Sequence, residues 1–275
     1  IANRVWQYYF GRGIVRSTSN FGFAGDPPTH PALLDWLAAE LVSSGWSLKS
    51  LHKKILMSQA YRASSATVPK AMTVDPLNDT CWHFDMRRLS AEEVRDSIHV
   101  ASGAFNTKMF GPGMYPAIPP DVLATQSKPG KGWGSSSPEE QARRSVYIHV
   151  KRSLLTPVLT DFDLADTDTS CPVRFVTTQP TQALGMMNSQ FVQNQAKVFA
   201  ERVLNEAGGP DASDVRSSVR RAIQIALVRE PQEGEVSRGL ALIDTLEAEE
   251  GISPGRALEL YCLYLLNLNE FIYLD

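Results

Sequence analysis

Residues 143–194 read RRSVYIHVKRSLLTPVLTDFDLADTDTSCPVRFVTTQPTQALGMMNSQFVQN, and the chain is organised around this stretch. It begins with a basic, β-branched segment, continues as a loop that contains four aspartates, and then opens a long helical pattern at Pro180. Helical patterns also precede and follow it. We therefore predict a mainly α fold, a multi-helical single domain with a long irregular central region and at most a small β-element.

The N-terminal part, residues 1–105, carries clear helix start signals. Pro31 stands at the first position of one helix, where its missing amide hydrogen costs no hydrogen bond. Ser47 caps the next helix after a short connection. Two helices joined so closely predict a helical hairpin.

The end of this part contains a further helix and a connection. Ser90 opens a capping box, and Glu92, Arg95 and Asp96 on the helix that follows are expected to be solvated surface neighbours. Residues 62–76 are rich in turn-forming residues, which predicts a linker rather than a helix.

Residues 106–179 form the irregular central region of this prediction. Residues 106–138 hold many glycines and prolines and cannot continue a helix. A loop of that length is uncommon in a compact domain, and it indicates either a functional lid or a mobile insertion. Residues 145–150, SVYIHV, alternate enough to predict a small β-element.

The C-terminal part, residues 180–275, is predicted to be helical throughout. Its first helix starts at Pro180 and is ended by Gly208 and Gly209. We predict that the three parts belong to one domain, residues 1–275. The helices that follow the first one span residues 215–228, 233–249 and 253–268.

The overall charge and hydrophobicity argue against two classes of partner. With 27 basic and 30 acidic residues the net charge is -3, which does not favour nucleic acid or an anionic membrane surface. No apolar run approaches the roughly 20 residues that cross a bilayer, so we predict no membrane span. Because the chain begins at Ile1 rather than methionine, we interpret it as a piece of a longer protein.

The cysteines and histidines lack the spacing of a metal or haem site. Cys81, Cys171 and Cys262 form no CxxC or CxxCH motif. One disulfide with a leftover thiol stays open, and burial as small hydrophobic side chains is the favoured interpretation. The histidines form neither HxxxH nor HExxH, which favours structural or exposed roles, and they are His30, His52, His83, His99 and His149.

Four aspartates lie close together in the central stretch. Clustered carboxylates suit calcium, which prefers several oxygen ligands, although this run lacks the glycine and the distal glutamate of an EF-hand. A solvated loop or a set of helix caps is the favoured alternative. General acid and base catalysis on a glycosidic bond by two of these carboxylates is a third. The four residues are Asp161, Asp163, Asp166 and Asp168.

Basic residues surround these aspartates. Arginine forks suit carboxylate or sulfate groups, which makes an acidic sugar one candidate ligand. An internal ion-pair network with the neighbouring aspartates is the favoured alternative. The candidate ligand-binding residues are Arg143, Arg144, Arg152 and Arg174, with Lys151 beside them and with the side-chain amides of Gln182 and Asn188.

His149 is the histidine with a candidate catalytic role. It lies in the basic segment and could act as a general base, with Asp163 from the loop orienting its ring. Three aromatic residues, Trp133, Tyr115 and Trp82, would stack on sugar rings if they lined one groove, and Trp133 is the best candidate among them for ligand binding. Packing in the core or in a loop is the more common role of such side chains.

Several segments carry a family resemblance because they occur together in one order. They resemble the planctomycete-type C-terminal domain of unknown function found downstream of planctomycete cytochrome-c-like domains, and the resemblance covers nearly all 275 residues. The segments are NRVWQYYFGRGIV, FGFAGDPPTHPALLDWLAAEL, GWSLKSLHKKILMSQAYRASS, RRLSAEEVRDS, RRSVYIHVKRS, CPVR, QPTQALGMMNSQFV and LLNLNEFIYLD.

The resemblance implies a cellular context rather than a reaction. Domains of that family usually end a large exported protein, so it implies an extracytoplasmic location, periplasmic or at the cell surface. It also implies an upstream cytochrome-c-like domain of the same polypeptide, which would hold any haem because this chain has no CxxCH motif. An exported sulfatase-like neighbour protein is a further implied partner. The family brings no established catalytic residue with it.

We therefore expect a ligand- or partner-binding module of an exported multidomain cytochrome-like protein, with polysaccharide as the candidate ligand. The alternatives are a carbohydrate-active enzyme with its site in residues 143–188 and a structural scaffold. A deep pocket lined by residues such as Arg144, His149 and Asp163 would favour the enzyme, whereas a shallow aromatic groove would favour binding.

Overall fold

The computed structural model describes residues 1–208, 214–249 and 251–275. These residues form 14 α-helices, one short 3₁₀ helix and two short β-strands. The predicted mainly α fold is confirmed. None of the helices in the described part of the chain is both long enough and apolar enough to cross a membrane.

The chain divides into two compact units, each of which is built largely from one continuous part of the sequence. Unit 1 comprises residues 1–88, 171–173 and 273–275, and unit 2 comprises residues 89–170 and 174–272. The single domain over residues 1–275 stays a prediction.

Unit 1 contains four helices and the two strands. The strands pair antiparallel, with Arg87 opposite Leu274 and Arg88 opposite Tyr273. The bounds are α1 Ala2–Phe10, α2 Pro31–Ser43, α3 Leu48–Leu56, α4 Pro69–Val74, β1 Arg87–Arg88 and β2 Tyr273–Leu274.

The predicted hairpin of α2 and α3 is present in unit 1. Pro31 is the first residue of α2, and the Ser47 hydroxyl accepts a hydrogen bond from the Ser50 amide at 3.3 Å, which caps α3. Both helices pack on α1, where the rings of Trp6 and Phe10 stack with 4.1 Å between their centroids. The core of this unit therefore forms around an aromatic helix.

Unit 2 contains the remaining helices. They are α5 Ala91–Ser102, α6 Pro120–Ala124, α7 Pro138–Gln141, the 3₁₀ helix Ser145–Tyr147, α8 Pro157–Asp161, α9 Pro180–Asn188, α10 Gln190–Ala207, α11 Val215–Leu227, α12 Glu233–Ala248, α13 Pro254–Leu266 and α14 Asn269–Ile272.

The core of unit 2 is centred on α10. This helix packs against α5, α11 and α13. Val192, Phe199 and Val203 on α10 are 0% exposed, as are Val94 and Ile98 on α5. Each buried side chain of this kind stabilises the fold by about 1.5–3 kcal/mol. Helical spacing in the sequence produces this apolar stripe.

The long helix predicted from Pro180 is two helices. Ser189 has an extended backbone (φ -68°, ψ 136°), ends α9 and caps α10, since its hydroxyl accepts a hydrogen bond from the Val192 amide at 3.3 Å. Serine suits both a helix surface and a cap, and the apolar spacing continues across it. The C-terminal end of α10 is followed by Gly208, whereas Gly209 lies outside the described residues.

Three other local predictions differ from the structure. Residues 106–138, predicted to contain no helix, include the short helix α6, which begins at Pro120. Residues 62–76 include the short helix α4, which begins at Pro69. Residues 145–150 do not form a strand, because Ser145–Tyr147 is a 3₁₀ turn in which the Ile148 amide donates to the Ser145 carbonyl at 3.0 Å. The small β-element of the described chain is the pair of β1 and β2 instead.

The three cysteines are free thiols. Cys262 is buried, and Cys81 and Cys171 are half-buried. Burial as small side chains, the favoured interpretation of the sequence, describes Cys262 best, and burial raises the pKa of its thiol well above the ordinary value.

Candidate functional site

Arg143 orders the first half of the irregular central region. Its side chain is 0% exposed, and its guanidinium donates hydrogen bonds to three main-chain carbonyls of the loop. Nε donates to Lys108 at 3.3 Å, Nη1 to Pro112 at 3.1 Å and Nη2 to Phe110 at 2.5 Å. A stretch rich in glycine and proline cannot pair these carbonyls in a helix, so one buried fork of donors satisfies them instead.

Glu140 and Tyr147 complete the surroundings of Arg143. Nη1 also donates to Oε2 of Glu140 at 3.0 Å, and the guanidinium lies 4.0 Å from the centre of the Tyr147 ring. Hydrogen bonds from Lys108 first, and from Arg143 second, lower the pKa of Glu140. The buried cation therefore faces an ionised carboxylate and an aromatic face within the protein.

Helix α5 supports the same segment from the other side. The guanidinium of Arg95 donates to the Arg143 carbonyl at 3.1 Å and to the Ser145 hydroxyl at 3.2 Å. The carboxylate of Asp96 accepts from the Ser145 amide at 2.8 Å. Arg95 is only 2% exposed, and burial lowers its pKa to about 10. The prediction that Arg95 and Asp96 are solvated surface neighbours was wrong, because a segment about 50 positions further along the chain covers them.

Beyond Arg143 the chain runs beside the loop as a short parallel pair. The Met114 amide donates to the Tyr147 carbonyl and the His149 amide to the Met114 carbonyl, both at 2.8 Å. Met114 and Ile148 are buried in the core, whereas the neighbouring residues Tyr115 and His149 are half-buried. Since neighbouring side chains of an extended segment point to opposite sides, the pair turns Tyr115 and His149 away from the core.

Tyr115, Trp133 and His149 form an aromatic cluster on this outward side. The ring centroids of Tyr115 and His149 are 4.8 Å apart, those of Tyr115 and Trp133 are 5.6 Å apart, and those of Trp133 and His149 are 6.0 Å apart. All three side chains are half-buried. The Tyr115 and Trp133 rings meet edge to face, an arrangement that aromatic pairs favour.

Loop contacts hold the aromatic cluster in place. The Trp133 indole donates to the Pro116 carbonyl at 3.0 Å, and the Tyr115 amide donates to the Ser136 hydroxyl at 3.0 Å. A Cβ atom at Gly134 would lie 2.7 Å from the Tyr115 ring, so only glycine allows the main chain to approach the ring this closely. The side chain of Lys151 donates to the Lys131 carbonyl at 2.5 Å.

The four aspartates have separate surroundings. Asp161 is half-buried at the end of α8, where burial raises its pKa. Asp163 accepts hydrogen bonds from the Thr177 amide at 2.9 Å and the Thr177 hydroxyl at 2.8 Å. Asp166 accepts a hydrogen bond from the Asp168 amide at 2.9 Å, which is the local contact of an Asx turn.

The sequence also predicts that these aspartates bind calcium. In the part of the chain that the structure describes, no three histidine, cysteine, aspartate or glutamate side chains are arranged to hold a metal ion. Calcium at Asp161, Asp163, Asp166 and Asp168 stays a prediction.

The predicted ligand-binding arginines occupy three kinds of position. Arg143 is internal, and Arg144 next to it is exposed. Arg174 forms a two-pronged ion pair with Glu92, with distances of 2.5 and 2.9 Å. Arg152 pairs with Asp168 at 3.3 Å, but both side chains are more than half exposed, and such a pair stabilises the protein little.

The remaining candidate residues each have their own local surroundings. The amide of Gln182 donates to the Thr177 carbonyl at 3.0 Å and takes part in the capping box of α9. Asn188 is exposed at the end of α9. Trp82 belongs to unit 1, where its indole donates to the Asp75 carbonyl at 3.1 Å.

The predicted catalytic residues have different neighbours. His149 packs against the rings of Tyr115 and Trp133, whereas Asp163 binds Thr177. The structure therefore brings His149 together with Tyr115 and Trp133, two of the three predicted sugar-stacking residues. The sequence did not predict that Arg95 and Asp96 bind the segment around Ser145. Two charged residues on an amphipathic helix are equally typical of an ordinary solvent-exposed helix surface.

One protein-family model matches most of the chain. A model of PSD1, a protein of unknown function (DUF1553), matches residues 1–243. The chain belongs to this family. No curated protein and no solved structure matches this PSD1 chain. The aromatic cluster, the Arg143 network and the aspartate run all lie within the residues that the PSD1 model matches.

Proposed function

We propose that this PSD1 domain is a binding module that recognises polysaccharide through the aromatic cluster of Tyr115, Trp133 and His149. Because of the family resemblance, we further propose that the module belongs to an exported, planctomycete-type multidomain protein with a cytochrome-c-like domain upstream. Any haem would belong to that upstream domain. An exported sulfatase-like protein is a further partner in this proposal.

The observation that carries the proposal is the geometry of the aromatic cluster. Three half-buried rings lie within 6.0 Å of one another on the outward side of a short extended pair. Aromatic faces stack on the apolar faces of sugar rings, while their polar tips bind hydroxyl groups. Rings fixed in advance lose little conformational entropy when a ligand binds, which favours recognition.

The charged residues support binding over catalysis. The guanidinium of Arg143 is buried among carbonyls, Arg174 is paired with Glu92, and Asp163 is bound to Thr177. These contacts stabilise the central region. A general base and its orienting carboxylate must lie within hydrogen-bond distance of each other, and the neighbours of His149 are aromatic rings.

One observation favours the carbohydrate-active enzyme as a second candidate. Asp161 has its pKa raised by burial, and Asp163, two residues later, is an acceptor of two hydrogen bonds from Thr177. Two carboxyl groups whose surroundings differ in this way are typical of an acid and its partner in glycoside hydrolysis. The enzyme proposal assigns the acid role to Asp161.

The test of the binding proposal is the substitution Trp133→Ala. We expect the wild-type protein to bind a neutral β-glucan or a sulfated galactan in isothermal titration calorimetry. Loss of the indole should raise the dissociation constant about tenfold or more, because a central aromatic side chain contributes about 2 kcal/mol or more to recognition.

The matched control is Trp36→Ala, which removes a tryptophan that is 51% exposed on α2 of unit 1. Equal binding by both variants, or no binding of either glycan by the wild type, would contradict the proposal. Release of reducing ends from the glycan, abolished by Asp161→Asn, would support the enzyme instead.

A further inference from the structure

A cavity of about 530 Å³ lies in unit 2 among α11, α12, α13 and α14. Five of its twelve lining residues are leucine or isoleucine. Its volume lies within the range of about 300–1,000 Å³ that ligand pockets occupy. None of the candidate residues discussed above lines it. The apolar lining consists of Ile223, Leu227, Leu242, Leu265 and Leu268.

At the cavity, helix α12 approaches both α11 and α13 closely. A Cβ atom at Gly239 on α12 would lie 2.8 Å from the Tyr261 hydroxyl and 2.8 Å from a Val219 methyl. The Tyr261 ring on α13 is 2% exposed and stacks against Tyr264, with 6.2 Å between centroids. Tyr264 is 49% exposed, so the pair extends from the floor of the cavity to its edge.

Two carboxylates at the cavity share one arginine as their hydrogen-bond donor. Arg229 donates to Glu235 at 2.6 and 2.9 Å and to Glu270 at 2.5 and 2.8 Å. Hydrogen bonds from Arg229 first, and from the Gln232 amide second, lower the pKa of Glu235 to about 2. Glu235 and Glu270 are therefore both occupied as acceptors of hydrogen bonds from Arg229.

Arg238 is the cation at the cavity that has no such partner among the described residues. It lines the cavity and is exposed, and the ion pairs of the described chain do not include it. It influences Glu235 only through charge, not through a hydrogen bond. An arginine fork at the edge of an apolar cavity suits a carboxylate, which accepts two parallel hydrogen bonds from it.

We propose that this cavity binds a small amphipathic carboxylate, with its apolar chain against the leucine wall and its carboxylate on Arg238. The Tyr261 hydroxyl lies at the floor, and the Tyr264 ring covers the middle of the chain. This site is independent of the proposed polysaccharide site, because it uses different helices and different residues.

The test uses dodecanoate below its critical micelle concentration, and its uncharged analogue dodecanol below its solubility limit. We expect the full chain to bind dodecanoate saturably in isothermal titration calorimetry. Arg238→Gln should weaken dodecanoate binding about tenfold, the effect of losing a charged hydrogen bond, and leave dodecanol binding unchanged. Leu242→Trp, which fills the cavity, should abolish binding of both compounds.

Arg256→Gln is the matched control, since Arg256 is an exposed arginine on α13 that pairs with Glu259 at 2.7 Å. It should bind dodecanoate as the wild type does. Far-ultraviolet circular dichroism of each variant shows whether it is folded. Absence of saturable dodecanoate binding, or binding that Arg238→Gln and Leu242→Trp leave unchanged, would overturn this proposal. Because the two proposed sites share no residue, failure of dodecanoate binding would leave the proposed glycan binding through Trp133 untouched.

Discussion

Arg143 and Arg144 are adjacent in the sequence, yet they have opposite environments. Arg143 is 0% exposed and donates to three loop carbonyls, whereas Arg144 is exposed. A buried arginine that satisfies main-chain acceptors is costly to remove, because the loop carbonyls lose their hydrogen-bond donor. The same residue type at the surface contributes little.

We predict that Arg143→Met destabilises the protein by about 3–5 kcal/mol, as expected when one partner of a buried charged network is removed. Arg144→Met should change stability by about 0.5 kcal/mol or less. Urea denaturation monitored by circular dichroism measures both values. Similar losses in the two variants would show that the Arg143 network does not stabilise the loop.

Helix α12 contains two glycines that differ in how closely neighbouring atoms approach them. At Gly234, in the first turn, a Cβ atom would meet only the flexible end of Arg238, at 3.6 Å. At Gly239, in the middle, a Cβ atom would collide with Tyr261 and Val219 on two neighbouring helices. Glycine lowers the helical tendency at both positions, but only Gly239 allows close packing.

We predict opposite effects for the two alanine substitutions. Gly239→Ala should destabilise the protein by about 1–3 kcal/mol, because overpacking outweighs the gain in helix propensity. Gly234→Ala should stabilise it by up to about 1 kcal/mol. Thermal unfolding of the two variants at neutral pH measures the difference, and a lower melting temperature for Gly234→Ala than for Gly239→Ala would refute the packing argument.

At the scale of the whole molecule, the charges are nearly balanced and the net charge is -3. Most ion pairs lie at the surface, where their contribution to stability is small. The buried titratable group that matters most in mild acid is His99, which is 3% exposed and packs edge to face on Phe191. Burial first, and the charge of Arg95 second, lower its pKa to about 3, while an interaction with Gln195 opposes the shift weakly.

We predict that the protein loses stability as the pH falls below 6.5. Between pH 6.5 and about 3 the unfolded chain protonates His99 and the folded chain does not, so the free energy of unfolding decreases by up to about 1.4 kcal/mol per pH unit. His99→Leu should remove this part of the slope. Urea denaturation between pH 5 and pH 7 compares the two proteins. Identical slopes would show that His99 does not titrate in this way.

The sequence by itself determined the fold class and the starts of several helices. Pro31, Ser47, Ser90 and Pro254 stand at the starts of helices, as their caps and first-turn signals predict. Such signals act between residues only a few positions apart, and helical spacing selects the buried face. These features depend on local chemistry, which the sequence displays directly.

The tertiary structure alone decided which polar residues are internal and which aromatic residues meet. Arg95 bonds to Ser145 and Arg143 to Phe110, and Tyr115, Trp133 and His149 come together from separate segments. Arginine on a helix surface and arginine in a buried network look alike in sequence, because the difference depends on partners tens of residues away. Burial and hydrogen-bond satisfaction are properties of the packed chain, and they assigned these residues their roles.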